Sequence, residues 1–377
     1  MKKEIIILGS LIVIFWGLLF FLYEKPNDID NIRYKLNQNS NIAIMVYDEE
    51  RNTYLKQSDI PVGKYNINEE KSSCVNGGSI FDYNASLGTI KYNFSTADKC
   101  YLYFDVSRTI SDTVIALADG TEKTSSQTDG GIYRVIDQNG IRYQGKDPDN
   151  YVIFNGDETW RIIGTFEGST IGLESGKYYT KLIKNEAIAM AGRYLNSNAG
   201  NWETSGLNLI LSGVILEEME DTAKEMIAYA THYLGGVSAY NSYTSAQFYA
   251  AERGSAELSS QNYLGLMYIS DYGYAMYAGS ANSACTTEST LIYAYRTAES
   301  NCAAYDWLFF KDNEWVITST GNEQSVFYIN SNGEISVQGT SSSVFVSINQ
   351  IRPTLYLDSS VTVSGGSGTS DDPYTLQ

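Results

Sequence analysis

The chain has 377 residues, with 44 acidic against 26 basic side chains, a net charge of −18 and a pI near 4.5. So acidic a surface repels phosphate backbones, which removes nucleic acid from the expected partners. One histidine and four cysteines with no C-x-x-C spacing argue against a zinc site, while 31 tyrosines and only 5 prolines fit a β-rich exported protein.

The run from Ile5 to Tyr23 carries no charge and is long enough to cross a bilayer as a helix. Lys2 and Lys3 precede it, and Glu24, Asp28 and Asp30 follow it, which predicts a cytoplasmic N-terminus and an exported remainder. A cleaved signal peptide is the competing reading. The long apolar core and the poor cleavage sequence Tyr23-Glu24-Lys25-Pro26 favour a transmembrane anchor over residues 1–25. A pilin-type leader is disfavoured, because no acidic residue lies a few places into the run. Residues 26–40 read as a polar stalk.

An even number of cysteines in an exported chain predicts two disulfides. Of the three possible pairings, the sequence-local one, Cys74 with Cys100 and Cys285 with Cys302, places one bridge in each of two regions and is the expected one. Each would contribute roughly 2–4 kcal/mol.

Residues 41–110 read as a small all-β domain, a disulfide-stapled sandwich. Ile42, Ile44 and Val46 alternate with Ala43, Met45 and Tyr47, and Thr89–Phe94 and Tyr101–Phe104 are further candidate strands. Asn84-Ala-Ser and Asn93-Phe-Ser match the glycosylation pattern. Residues 111–131 have the composition of a flexible linker. A second domain, 132–377, opens with Tyr151–Phe154, an Asn155-Gly156 hairpin turn and Trp160–Phe166. Leu216, Met219, Ala223, Met226, Ile227, Ala230 and Leu234 recur at helical spacing, with Gly235-Gly236 as the stop. Thr244-Ser-Ala-Gln247 is a capping box for a short helix ending near Gly254. After Gly265 the pattern returns to strands: Glu314–Ile317, Ser325–Ile329, the Asn332-Gly333 turn, Glu334–Val337 and Ile351–Leu357. Strands, then helices, then meandering strands predict an α+β fold.

Several segments carry a resemblance: Tyr143–Gly156, Trp160–Ile163, Ala230–Gly235, Leu264–Tyr274, Asp306–Leu308, Ile351–Pro353 and the tail Gly365–Leu376. Together they resemble a family of bacterial surface proteins, mostly of gut Firmicutes and wall-less relatives. Their C-terminal module is similar to the C-type-lectin-like fold, in the branch that also holds formylglycine-generating enzymes. The resemblance covers roughly two-thirds of the chain and implies a C-type-lectin-like α+β head. The Glu-Pro-Asn or Gln-Pro-Asp and Trp-Asn-Asp motifs of calcium-dependent lectins are missing from the sequence, Asp306-Trp307-Leu308 being a different one. Cys285 and Cys302 match no motif of the formylglycine-generating copper site, and a shared fold does not carry an activity.

Any histidine chemistry would run through His232, placed at the predicted helix end, where a satisfied histidine without catalytic role is the commoner case. Glu217, Glu218, Glu220 and Asp221 read as a solvated acidic face. Asp371-Asp372 lack regular calcium-ligand spacing and read as part of a closing terminal strand. Arg352, before a proline in an apolar strand, is expected to pair with a carboxylate, Asp271 being the candidate. The binding-face candidates are Tyr272, Tyr274, Tyr305, Trp315, Asn322, Tyr328 and Asn330, aromatic anchors with amide neighbours. The alternative is that Trp307 and about half of these are core.

The expected function is a single-pass, membrane-anchored extracellular binding or adhesion protein that presents its head to protein or glycan ligands, without cofactor, metal or catalytic residues. A cell-envelope assembly component and an enzyme on a formylglycine-generating-like scaffold are the alternatives.

Overall fold

The computed structural model describes residues 41–377, apart from 49, 79, 86, 94–97, 119–130, 136–139, 193–201, 204, 239, 255–257, 298–299, 322–324 and 340–348. The expected membrane anchor and stalk lie outside the described residues, among which no helix is long and apolar enough to cross a membrane. The chain divides into two compact units, the first ending at Ser107 and the second running from Arg108 to Gln377.

In the first unit, strands β1 (Ile42–Asp48), β2 (Thr53–Gln57), β3 (Tyr65–Cys74), β4 (Ile80–Asn84), β5 (Thr89–Tyr92) and β6 (Cys100–Val106) form a four-stranded sheet, ordered β2-β1-β6-β3, and a β4–β5 hairpin. The predicted alternation holds in β1, where Ile44 and Val46 are buried with Ile60, Ile90, Leu102 and Phe104. Tyr83 of the hairpin meets Phe104 of the sheet edge-on at 5.0 Å. The unit is therefore a sheet with a hairpin packed on it rather than a sandwich of two full sheets. Cys74 and Cys100 face each other in the β3–β6 register and are disulfide-bonded.

The second unit begins with a helix, not a linker. Residues Ile110–Ala118 form α1, with Ile110, Ser111, Val114 and Ala118 buried. Ser111 Oγ lies 3.0 Å from the Tyr178 carbonyl and from Thr180 Oγ1. The Gly/Ser/Thr-rich composition that suggested a linker lies in residues 119–130, outside the described residues, whereas the apolar face of α1 has a sheet to pack on.

That sheet is built from β7 (Gly131–Val135), β8 (Gly140–Gln144), β9 (Tyr151–Phe154), β10 (Glu158–Glu167), β11 (Tyr178–Lys184), β15 (Leu264–Gly265), β20 (Thr354–Tyr356), β21 (Val363–Gly365) and β22 (Tyr374–Leu376). β10 is its hub and pairs with β8, β9 and β11. Its register shifts between Ile162 and Gly164. Gly164 is required there, since a Cβ would sit 2.2 Å from the Ile141 carbonyl. The terminal strand β22 runs parallel to β9 and carries β21 at the sheet edge. A second sheet takes the order β12-β19-β16-β17-β18 from Ile188–Gly192, Asn349–Ile351, Glu314–Ser319, Ser325–Ile329 and Ile335–Gly339. The architecture is thus α+β with many strands and few helices.

The helix expected across 216–234 is broken. Short helices α2 (Gly206–Ile210), α3 (Leu216–Glu218) and α4 (Asp221–Glu225) flank a π-helical turn at 211–215, and Met219 leaves the helix with ψ 151°. Ala230–Tyr233 is strand β13, paired with β14 (Ser259–Asn262). A period that matched a helix was satisfied by two elements, because Ala230 and His232 alternate inward at strand spacing. Gly235 and Gly236 are close-contact positions rather than a helix stop, each with a backbone carbonyl within 2.5 Å of where a Cβ would stand. The Thr244 capping box is formed and opens α5 (Ser245–Glu252). Two helices, α6 (Ile269–Ala275) and α7 (Leu291–Arg296), occupy ground expected to be strand. Ile351–Leu357 is split between β19 and β20 at Arg352-Pro353, since proline cannot donate to a ladder.

Candidate functional site

An open cleft of about 470 Å³ in the second unit is lined by Asn155, Glu158, Trp160, Lys184, Ile188, Ile215, Glu218 and Met219. Its floor follows from the β9–β10 hairpin. Asn155 (φ 57°) and Gly156 (φ 79°) make the left-handed two-residue turn foreseen in the sequence, which brings Glu158 and Trp160 up one strand. Lys184 stands opposite Trp160 in the β10–β11 register. The far wall is the end of the helical segment, held to the turn because Asn155 Oδ1 accepts the Glu220 N–H at 2.8 Å.

Glu158 and Lys184 form an ion pair, and Trp160 Nε1 donates to Glu158 Oε2 at 3.0 Å. Burial raises the Glu158 carboxyl, but donation from Lys184, Asn155 and Trp160 outweighs it, so the group lies below its ordinary value. The Lys184 ammonium is 5.6 Å from the Trp160 ring centroid. Glu218, on the rim, is exposed. One side of the cleft is therefore apolar, through Ile188, Ile215 and Met219, and the other is charged but nearly self-neutralised. Such a surface can hold a small polar group by hydrogen bonds while packing against its hydrocarbon side.

Behind this sheet lies a buried charge system. Asp271, at the start of α6, accepts Arg142 Nη1 at 2.8 Å, Lys181 Nζ at 2.6 Å and its own cap residue's N–H, Tyr268, at 3.0 Å. Burial alone would raise the Asp271 carboxyl, and the Lys181 and Arg142 charges hold it well below the usual range instead. Rings surround the cations: Phe166 and Tyr274 lie 4.7 and 4.8 Å from the Arg142 guanidinium, and Tyr268 lies 4.5 Å from Lys181 Nζ. Glu252 is held by Ser270 and Thr318.

His232 is fully buried on β13, not at a helix end. Burial, then the Lys181 charge, pushes it down to about 3 against the favourable Asn262 backbone and Asp271. A side chain at Gly265 would meet its ring at 2.4 Å. Sealed and neutral, His232 has no access to a substrate.

Arg352 does pair with a carboxylate, but with Glu314 rather than Asp271. Nε and Nη2 grip Glu314 at 2.8 and 2.9 Å, and Nη2 also meets the Leu308 carbonyl at 2.6 Å. Asp271 was already committed to Arg142 and Lys181. Beside this pair Asp306 is buried, accepts the Tyr295 hydroxyl at 2.5 Å and is pushed up to about 8, chiefly by burial.

Among the expected binding-face residues, Tyr272, Tyr274 and Trp315 are core. Tyr272 stacks on Tyr295 at 4.6 Å and donates to the Gly333 carbonyl. The carbonyl of Tyr274 accepts the Tyr133 hydroxyl. All of α6 and most of the strand carrying Trp315 are buried, so these rings have no solvent face. Tyr305 and Tyr328 are half-buried against the same core. Asn330 caps the β17–β18 turn, accepting the Asn332 and Glu334 N–H groups and donating to Glu334 and Ser336. Asn322 lies outside the described residues. Trp307 is core, its Nε1 on the Tyr143 carbonyl at 3.2 Å.

Sequence reasoning did not assemble the cleft. It placed the Asn155-Gly156 turn, Trp160 and Glu218, but their meeting depends on β11 pairing with β10 and on the helix ending at Met219. Both cysteine pairs are bonded as expected, Cys285 to Cys302 and Cys74 to Cys100. No protein family, curated protein or solved structure matches the chain significantly.

Proposed function

We propose that the protein is an exported binding protein, held at the cell surface by its N-terminal apolar run, and that its second unit takes a polar extracellular ligand in the Glu158–Lys184 cleft. Closure of both cysteine pairs supports an oxidising compartment. The observation that carries the reading is the cleft: an ion pair open to solvent, beside an apolar wall, in a volume typical of small-ligand sites. A sugar residue, or a polar side chain of a protein ligand, can enter such a space. The lectin-like resemblance of residues 132–377 is of a piece with this reading and favours the glycan.

The test is an array of glycans and surface proteins probed with the full-length chain, with and without calcium. Binding should be abolished by Lys184→Ala and weakened by Glu218→Gln. Binding that both variants retain, or no binding at all, would refute the cleft as the site and shift attention to an envelope assembly role. Alkaline extraction of membranes tests the anchor separately: the full-length chain should stay with the membrane.

A further inference from the structure

The face of the four-stranded sheet opposite the first unit's own core carries an arrangement of tyrosines and polar groups. In the β1–β2 register Tyr47 faces Tyr54 and Met45 faces Lys56. In the β1–β6 register Met45 lies beside Tyr103, and Ala43 beside Tyr101. β3 adds Asn68 next to Tyr103. Since Ile44, Val46, Leu102 and Phe104 point into the core, the two-residue period sets Tyr47, Tyr54, Tyr101 and Tyr103 on the opposite side.

Tyr54 is the centre of this face. Its ring meets Tyr47 at 5.2 Å and Tyr103 at 4.9 Å, both edge-on. Its hydroxyl donates to Asp105 Oδ1 at 2.5 Å and accepts from Lys71 Nζ at 2.7 Å, and that ammonium stands 4.6 Å from the ring centroid. Asn68 Nδ2 holds the other Asp105 oxygen at 2.7 Å. Lys71 reaches this position because β3 breaks register between Asn68 and Ser73. The looped-out turn is fastened by the Lys71 N–H on Asn68 Oδ1 and the Tyr103 N–H on Ser72 Oγ, both at 2.9 Å. Tyr101 completes the strip, half exposed at 50%.

We propose that this face binds an uncharged glycan chain, with sugar rings stacking on the tyrosines and sugar hydroxyls bonding to Asp105, Asn68 and Lys71. Rigid rings with polar tips give large contact at little loss of freedom. Charge selects the occupant. Asp105 offsets Lys71 through Tyr54, which leaves Lys56 as a single further cation set on this side by the register, too little for a field that would hold a polyanion against the chain's overall −18, and of the wrong sign for a polycation. The strip also lacks the contiguous aliphatic centre of a protein-docking patch, offering only Ala43 and Met45 among the described strand residues on that side.

Affinity electrophoresis of the full-length chain tests this, in gels containing hydroxyethyl cellulose, laminarin or mannan, with heparin as the charged comparison. At least one neutral polysaccharide should retard the chain. Retardation should weaken at least tenfold in Tyr101→Ala, a change at a half-exposed side chain, and in Lys71→Ala, with near-ultraviolet circular dichroism unchanged. Cleft variants Lys184→Ala and Glu218→Gln should retain it, which separates this site from the cleft. Absence of retardation in every neutral gel, retardation in heparin alone, or full retardation of both variants would overturn the proposal.

Discussion

Lys181 and Lys184 sit three residues apart on one strand and point to opposite sides of the same sheet, yet they do different work. Lys181 ends against Asp271 with both side chains 1% exposed, whereas Lys184 ends against Glu158 with 14% and 33% exposure. In the first case neither charge can return to water, so each depends on the other. In the second, solvent can take over either half of the pair. Similar ion pairs therefore hold the fold on one side and border an open cleft on the other.

Loss of the buried carboxylate should have the largest effect. Asp271→Ala strands Arg142 and Lys181 in the core and should destabilise the second unit by about 3–5 kcal/mol, measured by urea denaturation. A loss under about 1 kcal/mol would show that the buried pair behaves like the open one. Next in size is the first unit's bridge. The Cys74→Ala/Cys100→Ala variant should lose roughly 3 kcal/mol from that unit and leave the second unit's transition in place.

The pH profile distinguishes the buried region further. Asp306 is raised to about 8, so its folded state keeps a proton that the unfolded chain gives up, and stability is lost as pH rises from near 4 through 8. His232 is lowered to about 3, so the unfolded chain takes a proton the folded state refuses, and stability is lost as pH falls from 6.5 towards 3. Between about pH 4 and 6.5 these two contributions oppose each other. From pH 6.5 to 8 Asp306 acts without His232 and lowers stability by about 2 kcal/mol, at ~1.4 per unit. Asp306→Asn should remove that decline. His232→Gln should flatten the acid limb, and denaturation midpoints across pH 4–9 would expose either error. The smallest effect belongs to Lys184→Ala: under about 1 kcal/mol in stability, with loss of ligand from the cleft.

Local chemistry was readable in the chain. The Asn155-Gly156 turn, the Thr244 capping box and the alternation of Ile44 and Val46 are decided by residues within a few positions of each other, and the sequence carries them openly. The expectation for Arg352 was half right, because a buried guanidinium must find a carboxylate, but the choice between Glu314 and Asp271 depends on which strands and helices converge. Tyr272 and Trp315 have the composition of a binding face. Only the packing of α6 and of the Trp315 strand shows that they are core, since a tyrosine's sequence neighbours do not reveal which way its ring points. The cleft was equally illegible. Its walls are Lys184, Trp160 and Met219, brought together by a strand pairing and a helix end that no short-range signal specifies.

The chain's residues alone carry the acidic net charge, the α+β class and the turns, because composition and near-neighbour chemistry suffice for these, and they favour one of three cysteine pairings, which the fold then closes. The tertiary structure alone decided that α1 is core rather than linker, that His232 is sealed, and which lysine of one strand meets solvent. Burial is a property of what packs from afar, and a side chain's charge, exposure and usefulness change with it.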